Sequence, residues 1–483
     1  MDMVGFVLDN LYLLIFLIDI ILMIAMLFWE RNDPKSTAIW ILVLWILPLF
    51  GFILYLFLGQ TFYSTRTFRH KATEDQKLAE VLKIEKMIME QELKSHPENA
   101  EKLNFANTIQ NAGGVLYTNM NDVTLLPESK KYFDSLLEDL RNAKETINFE
   151  YYIIRNDRIS NELMNILIDK VKSGVEVKLM IDAIGNNKGP KKNIMKLKKA
   201  GGEYSLFHST WTCLLSPRKN NRNHRKIAII DGRIGYVGGY NIGDEYLGKG
   251  PLGYWRDCAV RVNGTAVASM QFRFLADWRY ATKKDLVLED RFYKYDTCAG
   301  DTSMQLISGG PDVSENNPIQ MQYLNIVTNA KKTLYIQTPY LEPDQALADC
   351  VRRAAFAGVD VRIIMPNIGD HPFVYWANRY WASVFLRAGV KVYEYNRGFI
   401  HAKTLVGDGY YCSVGSANFD DRSMKLNFET NVMIYSEKIG KEMNDAFLED
   451  LEYCTEYTLE MYHNRTTWQR FKTGVSRLVS GQL

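Results

Sequence analysis

NHRKIAIIDGRIGYVGGYN (residues 223–241) and IHAKTLVGDGYYCSVGSAN (residues 400–418) are two versions of one pattern. Each contains H-x-K-x4-D, and each continues with Gly seven residues and Asn ten residues beyond the Asp. The chain has only 7 His, so finding two of them in this pattern indicates a duplication rather than chance. The six motif positions are His224, Lys226, Asp231, His401, Lys403 and Asp408.

Each motif fits a strand, a tight turn and a second strand. Residues i and i+2 of a strand project to the same face, so the His and Lys of each motif point the same way. The Asp-Gly pair turns the chain, and the glycines that follow let backbone N–H groups approach an anion closely. Each half therefore offers an imidazole, a positive charge and amide donors to a phosphate. A single H-x-K is usually a solvated surface pair, and only the duplication favours a site here.

The duplication extends beyond the motifs. INFEYYI begins at Ile147 and LYIQTPYL at Leu334, and VEVKLMID follows Gly174 as VDVRIIMP follows Gly358. Short β-branched strands alternating with helical stretches predict parallel sheets covered by helices. We therefore expect an α/β fold of two tandem halves, packed about a pseudo-twofold axis with a shared active-site cleft. Two independent sites are the alternative.

Composition bounds the function. At 483 residues the chain is long enough for about three domains. Lys and Arg number 58 and Asp and Glu 56, and this near-neutral balance argues against a nucleic-acid partner. The 6 Cys lie far apart without a C-x-x-C pair, which predicts free thiols rather than disulfides or a zinc ribbon.

The apolar residues concentrate before residue 60. Residues 11–29 and 38–58 are apolar except for Asp19, and each is long enough, at roughly 30 Å, to cross a bilayer. A pair of buried core helices is the alternative, but the second segment lacks a polar face. We expect a transmembrane hairpin over residues 1–60. Asp19 is assigned no chemical role.

Basic residues predict the topology of this hairpin. The connector carries two basic residues and the stretch just after the second span carries four (Arg31 and Lys35; Arg66, Arg69, Lys71 and Lys77). The excess of positive charge after the second span places the rest of the chain in the cytoplasm. We therefore expect a cell-membrane protein with two spans and cytoplasmic catalytic domains.

Three further segments complete the predicted organisation. Residues 61–112 are polar and helix-prone and predict a helical stalk, followed by one α/β domain over 113–295 and a second over 296–483. Near the C-terminus, Trp468, Phe471, Val475 and Leu478 recur at helical spacing with basic residues between them. Such a stripe more often packs against its own domain than lies on a lipid surface, and we expect packing.

The two motifs resemble the phospholipase D superfamily, whose signature is a pair of H-x-K-x4-D sequences. Within it, R-N-D-P-x-S-T-A-I-W, LEDLRNAKETINFEYYI, GGYNIGDEYLG followed by WRD, and SANFDDRSMKLNFETNVMIY are similar to the bacterial cardiolipin synthases. The resemblance covers about residues 25 to 460. It implies phosphatidyl transfer from one phosphatidylglycerol to another through a phosphohistidine, without a metal or other cofactor. Phosphatidylglycerol would be both donor and acceptor at a phospholipid bilayer, and the sequence also permits a homo-oligomer.

The resemblance also implies residue roles. His224 and His401 would be nucleophile and general acid/base, with the first-half His as the attacking group. The phosphate oxygens would be bound by both motif lysines and by Asn241 and Asn418. A carboxylate would orient each His, at Asp257 and Glu429. Asp231 and Asp408 would brace the motif. Gly239 stands where the second half has Ser416, so the halves are not strictly equivalent.

Other functions remain open or are disfavoured. A membrane-bound phospholipase D, or a phosphatidyltransferase with another acceptor alcohol, fits the same residues. A superfamily nuclease and a non-catalytic membrane scaffold fit less well, because charge is balanced and all six motif positions are intact. Residues 243–250 (GDEYLGKG) approximate a Walker A motif but lack its Ser/Thr. No carboxylate stands at metal-ligand spacing from either motif His.

Overall fold

The computed structural model describes residues 3–29, 34–58, 100–113, 115–207, 221–287, 289–296, 299–312 and 316–479. The described helices before residue 59 belong to one compact unit. The described residues from 100 onward, apart from position 221, belong to a second compact unit.

Over its described residues, the first unit contains the helices α1 (Met3–Trp29), α2 (Pro34–Ile46) and α3 (Phe50–Leu58). The break between α2 and α3 falls at Pro48, and the next residue, Leu49, has a φ of 57°. Asp19 of α1 is 3% exposed and accepts the backbone N–H of Leu49 at 3.3 Å. Asp19 therefore satisfies a backbone donor that the helix break leaves without a helical partner.

None of the helices, over the residues that the structure describes, is both long enough and apolar enough to cross a membrane. The two predicted spans thus stay a prediction.

The second unit is built on one sheet of fifteen strands. Its helices are α4 (Ala100–Gly113), α5 (Ser129–Asn142), α6 (Arg158–Lys172), α7 (Lys191–Ala200), α8 (Ala266–Thr282), α9 (Pro318–Asn329), α10 (Gln345–Phe356), α11 (Pro372–Leu386), α12 (Asp421–Lys425), α13 (Glu437–Leu451), α14 (Leu459–His463) and α15 (Thr467–Val479). First-half strands are β1 (Tyr117–Leu126), β2 (Thr146–Tyr151), β3 (Glu176–Ile181), β4 (Glu203–Leu206), β5 (Lys226–Ile230), β6 (Ile234–Gly238), β7 (Tyr254–Arg256) and β8 (Ala259–Gly264). Second-half strands are β9 (Thr302–Gly309), β10 (Thr333–Gln337), β11 (Leu341–Glu342), β12 (Asp360–Pro366), β13 (Lys391–Tyr395), β14 (Gly398–Ile400), β15 (Thr404–Gly407), β16 (Tyr411–Gly415), β17 (Phe419–Asp420), β18 (Glu429–Tyr435) and β19 (Cys454–Tyr457).

The strand order repeats outward from the middle of the sheet. The order is β19-β13-β12-β10-β15-β16-β18-β9-β1-β8-β6-β5-β2-β3-β4, with β1 and β9 paired antiparallel at the centre. In each half the motif strand pairs antiparallel with the next strand outward, which in turn pairs parallel with the following one: β5-β2-β3 and β15-β10-β12. The predicted tandem of two α/β halves is confirmed.

Burial explains why the motif strands are so apolar. Every residue of β2, β5, β15 and β16 is buried, as expected of strands that are covered on both faces. The two remaining small sheets, β14-β7 and β11-β17, each pair two strands in parallel. The β14-β7 sheet joins the halves, because β7 belongs to the first and β14 to the second.

Part of the predicted stalk belongs to the core. Residues 61–99 lie outside the described residues, but residues 100–113 form α4. Leu103, Phe105 and Ile109 of α4 are buried among second-half residues, and the ring of Phe105 stacks on Tyr411 with centroids 4.4 Å apart. The structure therefore differs from the expected stalk over these residues, since α4 supplies apolar surface to the second half.

The described cysteines carry free thiols: Cys258, Cys350, Cys412 and Cys454. Cys213 and Cys298 lie outside the described residues.

Candidate active site

Each motif His lies on a segment that pairs with the opposite half. The backbone N–H of His224 donates to the carbonyl oxygen of Phe428 at 2.9 Å. The backbone N–H of His401 donates to the carbonyl oxygen of Arg256 at 2.7 Å. The residue after Phe428 is Glu429, and the residue after Arg256 is Asp257, so backbone pairing brings each His to a carboxylate of the other half.

The side chains complete this crossed arrangement. Nδ1 of His224 lies 2.9 Å from each carboxylate oxygen of Glu429, and Nδ1 of His401 lies 2.5 Å from Oδ2 of Asp257. Both carboxylates are fully buried. Sequence reasoning selected these two residues as orienting carboxylates, but it did not predict that each would serve the His of the other half.

Two lysines add buried positive charge beside the imidazoles. Lys226 and Lys403 are 1% and 2% exposed, and each ammonium donates to the backbone carbonyl of its own motif His. Nζ of Lys403 also lies 3.0 Å from Nδ1 of His401. Burial, together with repulsion from the other lysine, lowers the pKa of Lys226 to about 7, and burial lowers that of Lys403 to about 8. An anion between the motifs would hold both lysines protonated.

The imidazoles are held neutral by their surroundings. Burial lowers the pKa of His224 to about 4, although Glu429 opposes the shift. Burial, followed by the charge of Lys403, lowers the pKa of His401 well below its ordinary value. The hydrogen bonds of both rings to other described residues run through Nδ1, which leaves Nε2 of each to face a reacting group.

The two carboxylates differ in their support. Glu429 accepts from the hydroxyl of Ser416 at 2.5 Å and from the amide of Asn427 at 3.1 Å. Burial raises the pKa of Glu429, but His224 and Lys226 outweigh it and the net shift is downward. Burial raises the pKa of Asp257 to about 6. Of the two carboxylates, Asp257 of the first half is thus the one whose pKa lies closer to neutral pH.

The same geometry explains why Gly239 replaces a serine. A Cβ built on Gly239 would lie 2.0 Å from Oδ1 of Asp257. In the second half, Ser416 occupies the equivalent place and its hydroxyl binds Glu429, whose side chain is one methylene longer. The pairs Gly239–Asp257 and Ser416–Glu429 therefore occupy equivalent space beside the two imidazoles, with a smaller residue next to one carboxylate and a larger residue next to the other.

The motif aspartates lie at the far end of the motif strands. The carboxylate of Asp231 accepts three backbone N–H groups at 2.7–2.9 Å, from the residues that lead into β2: Lys144, Glu145 and Thr146. Asp408 accepts the equivalent three ahead of β10, from Lys331, Lys332 and Thr333. The φ angles of Asp231 and Asp408 are 53° and 52°. Each carboxylate therefore ties the turn after its motif strand to the neighbouring strand. In the first half, the whole of β5 lies between His224 and Asp231.

The two motif asparagines are not equivalent. Asn241 accepts the backbone N–H of Ile153 and donates to the hydroxyl of Tyr246 at 3.1 Å. That hydroxyl lies 3.3 Å from Nδ1 of His401. Asn418 is 4% exposed, and its Oδ1 has no hydrogen-bond partner among the described residues. Phosphate binding by either amide stays a prediction.

Sequence reasoning missed the rings that surround the imidazoles. Tyr152 lies edge-on to His224 with centroids 4.8 Å apart, and Trp255 lies 5.1 Å from His401. The tyrosine sits at the end of the INFEYYI strand and the tryptophan begins the WRD sequence, so both were visible as residues but not as neighbours of a His. These rings exclude water and so contribute to the lowered pKa values of the imidazoles.

It also missed arginines around the first motif. Arg222 shares the alternation of His224 and Lys226, which was a usable signal. Arg225 projects from the opposite side, is fully buried, and donates to Asp277 at 2.6 Å and to the carbonyl of Glu429 at 3.2 Å. Arg225 therefore fixes the backbone position of the carboxylate that holds His224.

No group of three or more His, Cys, Asp or Glu side chains is placed to hold a metal ion, within the described part of the chain.

Comparison with known proteins agrees with this geometry. A family model described as "Cardiolipin synthase, PLD-like domain" matches residues 136–278 and 323–451, and one described as "Phospholipase_D-nuclease N-terminal" matches residues 12–60. The chain is 42% identical to a cardiolipin synthase of Staphylococcus aureus over 98% of this chain and 97% of that one. It is 41% identical to a cardiolipin synthase of Clostridium perfringens over 93% and 95%. The fold is similar to that of a phosphatidylserine synthase of Haemophilus influenzae (TM-score 0.61, 14% identity, 78% of this chain and 100% of that one).

The first prediction tests the packing of Gly239 against Asp257. Gly239→Ala places a methyl group where the carboxylate lies, so Asp257 must move away from His401. A displacement of about 1 Å costs roughly 10²-fold in turnover. Turnover of a phosphodiester lipid by Gly239→Ala measures the effect. Ser416→Gly, which removes a hydroxyl but adds no atom, is the matched variant and should lose less. Equal losses in the two variants, at unchanged melting temperature, would contradict the steric explanation.

Proposed function

Since this chain belongs to the cardiolipin synthase family of the phospholipase D superfamily, we propose that it transfers a phosphatidyl group from one phosphatidylglycerol to another, giving cardiolipin and glycerol. It is a phosphatidyltransferase. The observation that carries the proposal is the pair of crossed contacts, His224 with Glu429 and His401 with Asp257, beside two buried lysines. These groups supply a nucleophile, a proton donor and positive charge for a phosphodiester.

In the first step Nε2 of His224 attacks the phosphorus of the donor lipid. The N–P bond forms as the bond from phosphorus to the glycerol head-group oxygen breaks. With substrate bound, the His401–Asp257 pair carries one proton in addition to the one on the neutral ring. The leaving oxygen takes this additional proton and departs as free glycerol. Glu429 supports this role, because it holds Nδ1 of His224 and stabilises the positive charge that develops on the ring.

In the second step the acceptor phosphatidylglycerol enters in place of glycerol. Its head-group hydroxyl gives its proton to the His401–Asp257 pair, and its oxygen attacks the phosphorus. The P–N bond breaks, His224 regains its lone pair, and cardiolipin leaves. The pair thus gives a proton in the first step and takes one back in the second, so the enzyme returns to its starting state.

The phosphate oxygens would lie between the two motif lysines. A substrate anion favours the protonated form of both, because an opposite charge at close range raises the pKa of an amine. Asn418 would add an amide donor, since its side chain is buried just after the second motif strand and its Oδ1 has no hydrogen-bond partner among the described residues that would fix the amide in another orientation. The positive charge would be retained through both steps, when negative charge on the oxygens peaks.

The N-terminal segment supports a location at the cell membrane. Residues 12–60 match the N-terminal family model, and residues 11–29 and 38–58 are apolar. Two spans would keep the enzyme at the surface that holds both lipid substrates, with the catalytic domains in the cytoplasm. Water entering instead of the acceptor lipid would give phosphatidic acid, the product of a phospholipase D.

The second prediction tests function and site together. Purified enzyme given phosphatidylglycerol alone should produce cardiolipin and glycerol in equal amounts, measured by lipid mass spectrometry and a glycerol assay. His224→Ala and His401→Ala should each lose nearly all turnover, because groups that act as a unit are not additive. His463→Ala, on the exposed end of α14, is the matched control. Phosphatidic acid as the main product would replace the transferase with a hydrolase. About half the activity in either catalytic variant would indicate two independent sites.

The third prediction concerns pH. His224, with a pKa of about 4, must be neutral to attack phosphorus, so kcat/KM should rise as pH increases through this value. The His401–Asp257 pair must hold the proton that the leaving oxygen takes, so kcat/KM should fall as pH increases through about 6, the pKa of Asp257. Lys226 and Lys403, at about 7 and 8, must be protonated to bind phosphate, so kcat/KM should fall as pH increases through these values. A bell-shaped profile of kcat/KM against pH follows, with apparent values that belong to the coupled groups. A profile that stays level from about pH 5 to about pH 10 would contradict these assignments.

The fourth prediction assigns the covalent step to His224. Brief incubation with phosphatidylglycerol labelled at phosphorus should leave label on the peptide containing His224, stable to alkali and lost in acid, as expected of a phosphoramidate. The His401→Asn variant should form the labelled peptide more slowly, because the first step loses its acid, but should keep the label for longer once formed, because the second step loses its base. Peptide mapping after alkaline treatment makes the measurement. Label on the His401 peptide of the unaltered enzyme would exchange the two roles.

A further inference from the structure

The C-terminal helix α15 packs on α11 through its polar face. Nζ of Lys472 lies 4.2 Å from the ring centroid of Trp376, and the guanidinium of Arg477 lies 5.2 Å from the ring of Tyr380. Between these contacts, Thr473 and Ser476 of α15 are 4% and 1% exposed. The face that the helix buries is therefore made of small polar side chains and the stems of two basic ones.

The apolar face of the same helix is turned to solvent. Trp468, Phe471 and Leu478 are 64%, 58% and 77% exposed, and the rings of Trp468 and Phe471 stack with centroids 5.3 Å apart. The helix packs on its own domain as expected, but the face that packs is not the expected one. Three of the four residues of the predicted stripe are exposed, and the fourth, Val475, is half-buried. A contiguous apolar face of this kind, rimmed by charge, marks an interaction surface.

The charge on this segment is entirely positive. After Glu460 the chain contains no Asp or Glu, and it carries Arg465, Arg470, Lys472 and Arg477. Aromatic and aliphatic residues on one face with basic residues beside them are what an anionic lipid surface attracts. A protein partner for an apolar face would not require the absence of acidic residues over the whole segment.

The exposed face of α15 lies next to the N-terminal end of α11. Lys472, in the middle of α15, contacts Trp376, which lies one turn into α11 from its first residue, Pro372. The middle of α15 therefore lies beside the first turns of α11. There Phe373 is 43% exposed, and so is the nearby Ile368.

This end of α11 borders the catalytic cleft. Asp370, two residues before α11, accepts a hydrogen bond from the hydroxyl of Tyr340 at 2.6 Å. Asn378 of α11 accepts the backbone N–H of Leu341 at 2.8 Å, and Leu341 pairs with Phe419, the residue that follows Asn418 of the second motif. The exposed apolar residues therefore stand at the mouth of the cleft.

We propose that the exposed face of α15, Trp468, Phe471 and Leu478 with Phe373 of α11, inserts into the interface of an anionic bilayer and seats the mouth of the cleft on it. The surface is made of residues of the second unit alone and is not needed for the chemistry. The bilayer contact itself does not depend on the proposed function. Only its purpose does, because the cleft needs to face the bilayer only if the substrate is a lipid.

Hydrogen exchange of the full chain in nanodiscs tests the contact itself. The two bilayers compared are phosphatidylcholine alone and phosphatidylcholine with phosphatidic acid, an anionic lipid that offers no glycerol head group. Amides of residues 467–479 should exchange about tenfold more slowly in the anionic bilayer, and added salt should reduce the difference. Phe471→Glu should abolish the difference.

The matched control is Phe356→Glu. Phe356 is 67% exposed at the end of α10, ahead of β12 and thus away from the strand ends that carry the site. This variant should keep the slower exchange of residues 467–479. Equal exchange in both bilayers would overturn the proposal. Protection that needs no lipid and grows with protein concentration would also overturn it, by placing a second copy of the chain on this face.

Activity separates the contact from the chemistry. Phe471→Glu should raise the apparent KM for phosphatidylglycerol in vesicles about tenfold, the effect of losing one buried aromatic ring. Its turnover of a short-chain, monomeric phosphatidylglycerol should equal that of the unaltered enzyme. An equal loss on both substrates, at unchanged melting temperature, would attribute the effect to the site and overturn the docking role. Failure of the unaltered enzyme on both substrates would instead reject the proposed function.

Discussion

The crossed pairing of each His with a carboxylate of the other half is the constraint on which the structure depends. The segment that carries His224 pairs with the backbone before Glu429, and the segment that carries His401 pairs with the backbone before Asp257. Neither half contains a complete His–carboxylate pair. A single continuous sheet, joined at β1 and β9, holds the halves in the register that both contacts need. Each half therefore needs the other to complete its His–carboxylate pair.

This arrangement places two imidazoles, two ammonium groups and two carboxylates in surroundings with almost no water. Burial disfavours the charged form of each group. It therefore lowers the pKa values of the lysines and imidazoles, which favours their neutral forms, and raises the pKa of Asp257, which favours its protonated form. A phosphate between the lysines favours their protonated forms, because it places negative charge next to both ammonium groups. The buried lysines therefore favour an anionic ligand over a neutral one.

Much of this was predictable from the sequence, and the exceptions have physical causes. The repeated H-x-K-x4-D pattern identifies the reactive residues and the α/β halves, because strand alternation and turn chemistry are local. The crossing of Glu429 and Asp257 is not local, and equal spacing in the two halves offers no means of deciding which His each would serve. The burial of α4 and the outward stripe of α15 depend on which surfaces the rest of the fold presents. For α15, two rings of α11 accept the stems of Lys472 and Arg477, and this contact outweighs the apolar pattern.

The differences between the two His–carboxylate pairs then bear on which His is the better nucleophile and which is the better general acid and base. A nucleophile must stay neutral until it attacks, and it needs a partner that remains ionised. Glu429 meets this condition, since Ser416, Asn427 and the ammonium of Lys226 all favour its carboxylate form. A His that gives a proton and later takes one back needs a partner carboxylate whose pKa lies near the working pH. Asp257, with one backbone donor from Cys258 and a pKa of about 6, is closer to that condition. Because Gly239 leaves no room for a supporting hydroxyl, the loss of one side chain in the first half is what makes the two otherwise matched pairs suited to different steps.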